Sequence, residues 1–177
     1  CIATPEKGQV SAVYMRPRNA ECLLVLGHGS GSHMRHALME ELSAALTAVG
    51  CATMRFNYPY SERGGGGMDG EAVRLATVRA AADLAFQQAR GLPVFVGGHS
   101  MSGRMFSLAA SQHPIPSVRG IVFFAFPLHA GKPNAERAQH LLKLDVPMLF
   151  LSGTRDKMAE LSLLESTVGP LAQATLH

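Results

Sequence analysis

Val94-Phe-Val-Gly-Gly-His-Ser-Met-Ser-Gly-Arg104 is the stretch that decides the fold. A β-branched run stops at two glycines, a serine follows, and a helical pattern begins at once. Small residues, Gly98 and Ser102, stand two before and two after Ser100. A serine on a sharp strand-to-helix turn sits in strained backbone, and bulky side chains two residues to either side would clash there. The turn lifts the hydroxyl above the sheet edge and points the first N–H groups of the next helix at whatever the serine attacks. Ser100 is therefore the candidate nucleophile. The plainer alternative is a helix N-cap serine, although capping alone does not call for the two preceding glycines. Ser102 is the poorer nucleophile, because Arg104 would occupy its plus-two position.

Working outward, apolar segments of strand length alternate with helical ones. Residues 10–15 read as an edge strand and 22–26 as a strand covered on both faces. A glycine-rich loop, Gly27-His-Gly-Ser-Gly-Ser-His33, leads into a helix over 34–49, which Gly50 ends. Residues 52–58 form the next strand, which Pro59 stops. Residues 61–69 read as a mobile surface loop, and 71–90 as a long helix. After the central strand come a helix over 100–112, a strand over 121–124 and a short helix over 135–143. A strand over 148–151, a helix over 158–171 and the start of a strand at 174–176 complete the chain. Such alternation predicts one α/β domain over residues 1–177, a doubly wound, mostly parallel sheet with helices on both faces. Ligands bind such sheets at the carboxyl ends of the strands. The loops at 27–33, 98–103 and 152–156 all follow strands, so they open on one edge.

Composition narrows the function. The chain has 177 residues, 47% hydrophobic and 16% charged, with a net charge of +3, which suits a soluble globular domain. The arginines are scattered, so nucleic acid is not the expected partner. The apolar runs fall well short of a membrane span. Cys1, Cys22 and Cys51 are too few for a disulfide framework or a zinc site. Buried thiols in a reducing, cytoplasmic compartment are expected instead. The start at Cys1 is expected to reflect missing residues rather than lipoprotein processing.

Asp156 lies four residues beyond the Ser152 end of its strand. A carboxylate there can orient a histidine and stabilise its imidazolium; the alternative is a turn or cap aspartate. The N–H of Met101, with one from Gly29 or Ser30, would form an oxyanion hole. A nucleotide-binding reading of Gly27-x-Gly29-x-Gly31 is disfavoured: the third glycine is misplaced, and the 52–58 strand ends without an acidic residue to hold a ribose. His28 and His33 are expected to shape the oxyanion loop, while His28, Tyr58, Tyr60 and His129 are the candidate substrate contacts. His113 lies at a helix C-terminus, and His36 and His140 are expected to be solvated. No metal or organic cofactor is expected.

Five motifs carry a family resemblance: His28-Gly-Ser-Gly31, Arg55-Phe-Asn-Tyr58, Gly97-Gly-His-Ser-Met-Ser-Gly-Arg104, Phe126-Pro-Leu-His129 and Ser152-Gly-Thr-Arg-Asp156. The chain resembles the α/β-hydrolase superfamily, specifically its small, cap-less dienelactone-hydrolase-like branch. It is similar to the predicted bacterial hydrolases of that branch and their testis-expressed animal relative. The resemblance implies a Ser-Asp-His triad and ester-type hydrolysis of a small ester, thioester or lactone. There are three departures. Ser102 stands where the family usually has glycine. Dienelactone hydrolases proper carry a cysteine nucleophile, so their substrate is not carried over. The family's order is serine, acid, histidine, yet only His177 follows Asp156. His177 falls inside the last strand, so the base is expected on a segment beyond it. The missing histidine keeps a non-catalytic binding protein of the same fold as the alternative.

Overall fold

The computed structural model describes residues 2–4, 8–64 and 67–177, with the side chains of 2–4 left aside; Cys1 lies outside the described residues. Among them, a seven-stranded sheet runs in the order β3-β5-β4-β6-β7-β8-β9. Its strands are β3 (Ala12–Met15), β4 (Cys22–Gly27), β5 (Cys51–Phe56), β6 (Val94–His99), β7 (Val118–Phe124), β8 (Met148–Leu151) and β9 (Ala174–Leu176). Only β3 is antiparallel to its neighbour; the other pairings are parallel. β1 (Ile2–Thr4) and β2 (Gly8–Val10) form a separate antiparallel pair.

The continuous apolar runs are explained by two cores. Successive side chains of a strand point to opposite faces. Leu23 and Val25 enter the large core with α3 (Glu71–Gln88), α4 (Met101–Gln112) and α5 (Leu161–Val168), whereas Leu24 and Leu26 pack on Met39 of α1 (Ala37–Ala48). Helices thus cover both faces. Cys22 and Cys51 face each other in the β4–β5 register as free, half-buried thiols. Burial pushes the Cys51 thiol up, and hydrogen bonding with the Cys22 thiol adds to that.

Four elements differ in kind from the sequence reading. The 10–15 strand is two strands that break at Ser11. There the Ser11 N–H and hydroxyl donate to Glu62 at 3.2 and 2.5 Å, and its carbonyl accepts from Asn57 N–H at 3.1 Å, so the chain changes partners from β1 to β5. Pro59 does not merely stop a strand. It opens the one-turn helix α2 (Pro59–Glu62), where its missing N–H costs nothing. The 61–69 segment is anchored at its ends rather than free: buried Asp69 accepts from Tyr60 N–H at 2.7 Å and pairs with Arg63 at 3.1 Å. The short helix after β7 is a 3-10 helix, Glu136–Lys143. β9 pairs in parallel with β8, and the ladder continues through His177, whose N–H donates to Phe150 O at 2.8 Å.

Candidate active site

Ser100 sits where β6 meets α4, with φ 48° and ψ −107°. A non-glycine residue there is strained and must be held by its surroundings. Its N–H donates to Phe124 O of β7 at 2.8 Å, and its carbonyl accepts from Arg104 N–H at 3.3 Å. The two preceding glycines make the turn possible. A Cβ on Gly97 would lie 1.9 Å from Val122 O, and one on Gly98 would lie 2.2 Å from Gly27 O. Ser100 occupies the N-cap position of α4, but its side chain makes no capping bond to the helix. The hydroxyl is half-exposed, and no described residue hydrogen-bonds to it.

Around it, the N–H groups of Met101, Gly29 and Ser30 have no acceptor among the described residues. Met101 opens α4, where such orphan donors and the helix dipole attract an anion. A Cβ on Gly29 would lie 2.5 Å from His99 Nδ1, so a side chain there would have to displace the His99 ring. A carbonyl carbon held at Ser100 would have donors at hand for the oxygen that becomes negative on attack.

Ser102 is more than a tolerated small residue. It is fully buried, its hydroxyl donates to His28 O at 2.5 Å, and it shares a 2.9 Å bond with Tyr58 Oη. It therefore ties α4 to the glycine loop that carries Gly29 and Ser30. Ser102→Ala should cost about 1–3 kcal/mol in chemical denaturation, because Tyr58 Oη is left buried without its partner.

Burial corrects three of the expected substrate contacts. Tyr58 is fully buried and supports the floor of the site instead of reaching its rim. His28 is also fully buried, with Nδ1 at 2.8 Å from Gly29 O and Nε2 at 3.2 Å from Ser61 Oγ, so it braces the loop from beneath. His129 is buried with both ring nitrogens unpartnered. Its backbone is what touches the site: the His129 N–H donates to Met158 O at 3.1 Å, and its carbonyl accepts from Arg137 at 3.4 Å. Tyr60 lines a cavity of about 350 Å³, together with Ser30, His33 and Met68.

Asp156 is in the turn after β8, half-buried. Its Oδ1 accepts from Met158 N–H at 2.8 Å, and its other oxygen accepts no bond from a described residue. The carboxylate is close enough to His99 to favour that imidazolium, against the larger effect of burial, which lowers the His99 pKa. His177 is exposed and lies in the ladder of β9, three strands from β6. At about 4.8 Å per strand that is roughly 14 Å, too far for its ring to reach Ser100.

His140 is not solvated. Its Nε2 lies 2.7 Å from Ser107 Oγ, but Ser107 is fully buried, so this Ser–His pair has no access to substrate. Burial lowers His28 and His140 from 6.5 to about 4, with the Arg104 charge adding to the effect on His140. A native state that resists protonation is destabilised wherever the unfolded chain takes up the proton. The stability these neutral rings contribute is present above pH 6.5 and is lost as pH falls from there toward about 4. Within that window buried His28 alone contributes a slope of up to about 1.4 kcal/mol per pH unit. Thermal melts across this range should show it, and His140→Gln should flatten the slope.

A second cavity, of about 190 Å³, opens at Ser100 itself. Ser30, Met101 and Pro127 line it, with three arginines, Arg74, Arg104 and Arg137. The sequence reading missed these arginines. Arg104 follows Ser100 by one helical turn and was legible in principle. Arg74 and Arg137 come from α3 and the 3-10 helix, and no local pattern marks them. Among the described residues no cluster of His, Cys, Asp or Glu could hold a metal ion, and no helix is long and apolar enough to cross a membrane.

Among the described residues, a mostly parallel α/β sheet that carries a strained serine at the carboxyl end of its central strand defines a class of protein. Residues 20–176 match the family model of an alpha/beta hydrolase domain, and the chain belongs to that family. Among solved structures it is similar to an alpha-beta serine hydrolase homologue from Coxiella burnetii (TM-score 0.77, 17% identity, covering 100% of this chain and 85% of that one). It is also similar to a serine hydrolase without a lid from Xanthomonas campestris (TM-score 0.74, 18% identity, 99% and 80%). A dienelactone hydrolase from Anabaena variabilis matches as well (TM-score 0.77, 18% identity, 99% and 82%). At these identities the likeness is one of fold.

Proposed function

We propose that the protein is a serine hydrolase that cleaves a small ester, thioester or lactone through an acyl-enzyme on Ser100. The observation that carries this reading is the strained Ser100, free of any capping bond, beside the unpaired N–H groups of Met101, Gly29 and Ser30. Ser100 Oγ attacks the carbonyl carbon while a histidine takes its proton. The tetrahedral oxyanion receives the N–H groups of Met101 and of Gly29 or Ser30. As the carbon–oxygen bond to the alcohol breaks, the histidine returns the proton to the leaving oxygen. Water then adds to the acyl-enzyme by the same route and frees the acid. Asp156 is the acid that holds the histidine in the correct tautomer. The relatives named as serine hydrolases and as a dienelactone hydrolase support acyl transfer as the chemistry. The free thiols Cys22 and Cys51 support a reducing, cytoplasmic setting.

A binding protein without turnover is the second reading, favoured by one observation: among the described residues no imidazole bonds to Ser100. Fluorophosphonate treatment of the full-length protein separates the two. Labelling at Ser100, mapped by peptide mass, is expected, and an unlabelled Ser100 would overturn the hydrolase reading.

A further inference from the structure

The cavity of about 190 Å³ beside Ser100 is walled by Arg74 of α3, Arg104 of α4 and Arg137 of the 3-10 helix. All three are half-buried, and the Nε atoms of Arg74 and Arg104 are buried with no hydrogen-bond partner. One carboxylate answers them: Glu71 lies 3.5 Å from Arg104. Arg74 has no ion pair among the described residues, and Arg137 bonds only to the His129 carbonyl, at 3.4 Å. Three guanidiniums against one half-exposed carboxylate leave an excess of positive charge in a partly desolvated pocket. Burial and the neighbouring Arg137 and Arg74 lower the Arg104 pKa, as expected for like charges gathered together. The N-terminus of α4 opens on the same wall at Met101 and adds to the positive field. The other carboxylate of the site, Asp156, is near His99.

We propose that the substrate is an anionic ester, whose acyl part ends in a carboxylate that this arginine cluster binds while its other carbonyl lies at Ser100. The proposal rests on reading Ser100 as the nucleophile and narrows the substrate class. Guanidiniums pair with carboxylates through short, charge-assisted bonds, and the unpartnered nitrogens offer the donors. At about 30 Å³ per water, the cavity holds roughly six water molecules, room for the chain of a short dicarboxylic half-ester.

The test uses the full-length protein and two esters of similar length, monomethyl glutarate and methyl pentanoate, assayed in a pH-stat. The half-ester is expected to be hydrolysed with a kcat/KM at least about tenfold higher, an advantage that shrinks as salt rises. Arg74→Gln should lower the ratio of the two rates by about tenfold. Arg119→Gln, exposed at the start of β7 and far from the cavity, should leave the ratio unchanged. Calorimetry of monomethyl glutarate with the Ser100→Ala protein supplies a readout that needs no turnover. Binding there, with neither ester cleaved by the wild type, would keep the anion site and overturn the hydrolase reading. Cleavage of the neutral ester as fast as the half-ester, or no binding of the half-ester, would overturn the anion site.

Discussion

Replacing Ser100 by alanine is expected to lower ester turnover by about three to six orders of magnitude, with the fold intact. The side chain makes no hydrogen bond to a described residue, so the substitution removes the proposed nucleophile and breaks no hydrogen bond among the described residues. The binding groups and the oxyanion donors stay, which sets the floor of the residual rate. Ser100→Gly sharpens the test. With φ at 48°, glycine relieves the backbone, so this inactive variant should be more stable than the wild type by about 1 kcal/mol. A strained serine retained at a cost to stability is what a functional turn looks like. Denaturant midpoints of the two variants measure it, and a destabilised Ser100→Gly protein would refute the strain argument. Residual turnover by Ser100→Ala close to the wild-type rate would place the nucleophile elsewhere.

Gly98→Ala should have a large effect on folding. The new methyl group would lie 2.2 Å from the Gly27 carbonyl oxygen of β4, and the backbone at φ 151° disfavours any side chain. Neither partner can yield, because both belong to the central parallel pair of the sheet. The loss should exceed about 4 kcal/mol, read as insoluble expression or a collapsed denaturant midpoint. Gly31→Ala is the control. Its φ is 69°, but nothing lies within 4 Å of the added carbon, so only the conformational cost of about 1 kcal/mol applies. If both substitutions cost the same, the close approach of β6 to β4 does not limit the turn.

The fold was legible because its signals are local. Residues 22–26 and 94–96 are short apolar runs bounded by glycine, and two-sided burial in a parallel sheet produces that pattern. The boundaries were less legible. The break at Ser11 depends on Glu62, 51 residues away. The anchoring of Asp69 depends on Tyr60 and Arg63. Polar groups at those points answer to distant partners, and no window of sequence contains both.

The candidate site divides in the same way. Ser100, Met101, Gly29, Ser30 and Asp156 were picked out because each stands at the end of a strand, and parallel strands bring their carboxyl ends to one edge by topology alone. Tyr58, His28 and His129 were misplaced because a polar aromatic on a strand end reads the same whether it faces a ligand or a buried hydroxyl. Tyr58 meets Ser102, and His28 meets Ser61. By itself, then, the sequence determined the alternation of elements, the family and the strand-end serine, since these follow from the order of residues along the chain. Only the tertiary structure decided which histidines are buried props and which arginines share a cavity with Ser100. Arg74, Arg104 and Arg137 stand on three separate elements, and their convergence is a property of how those elements pack.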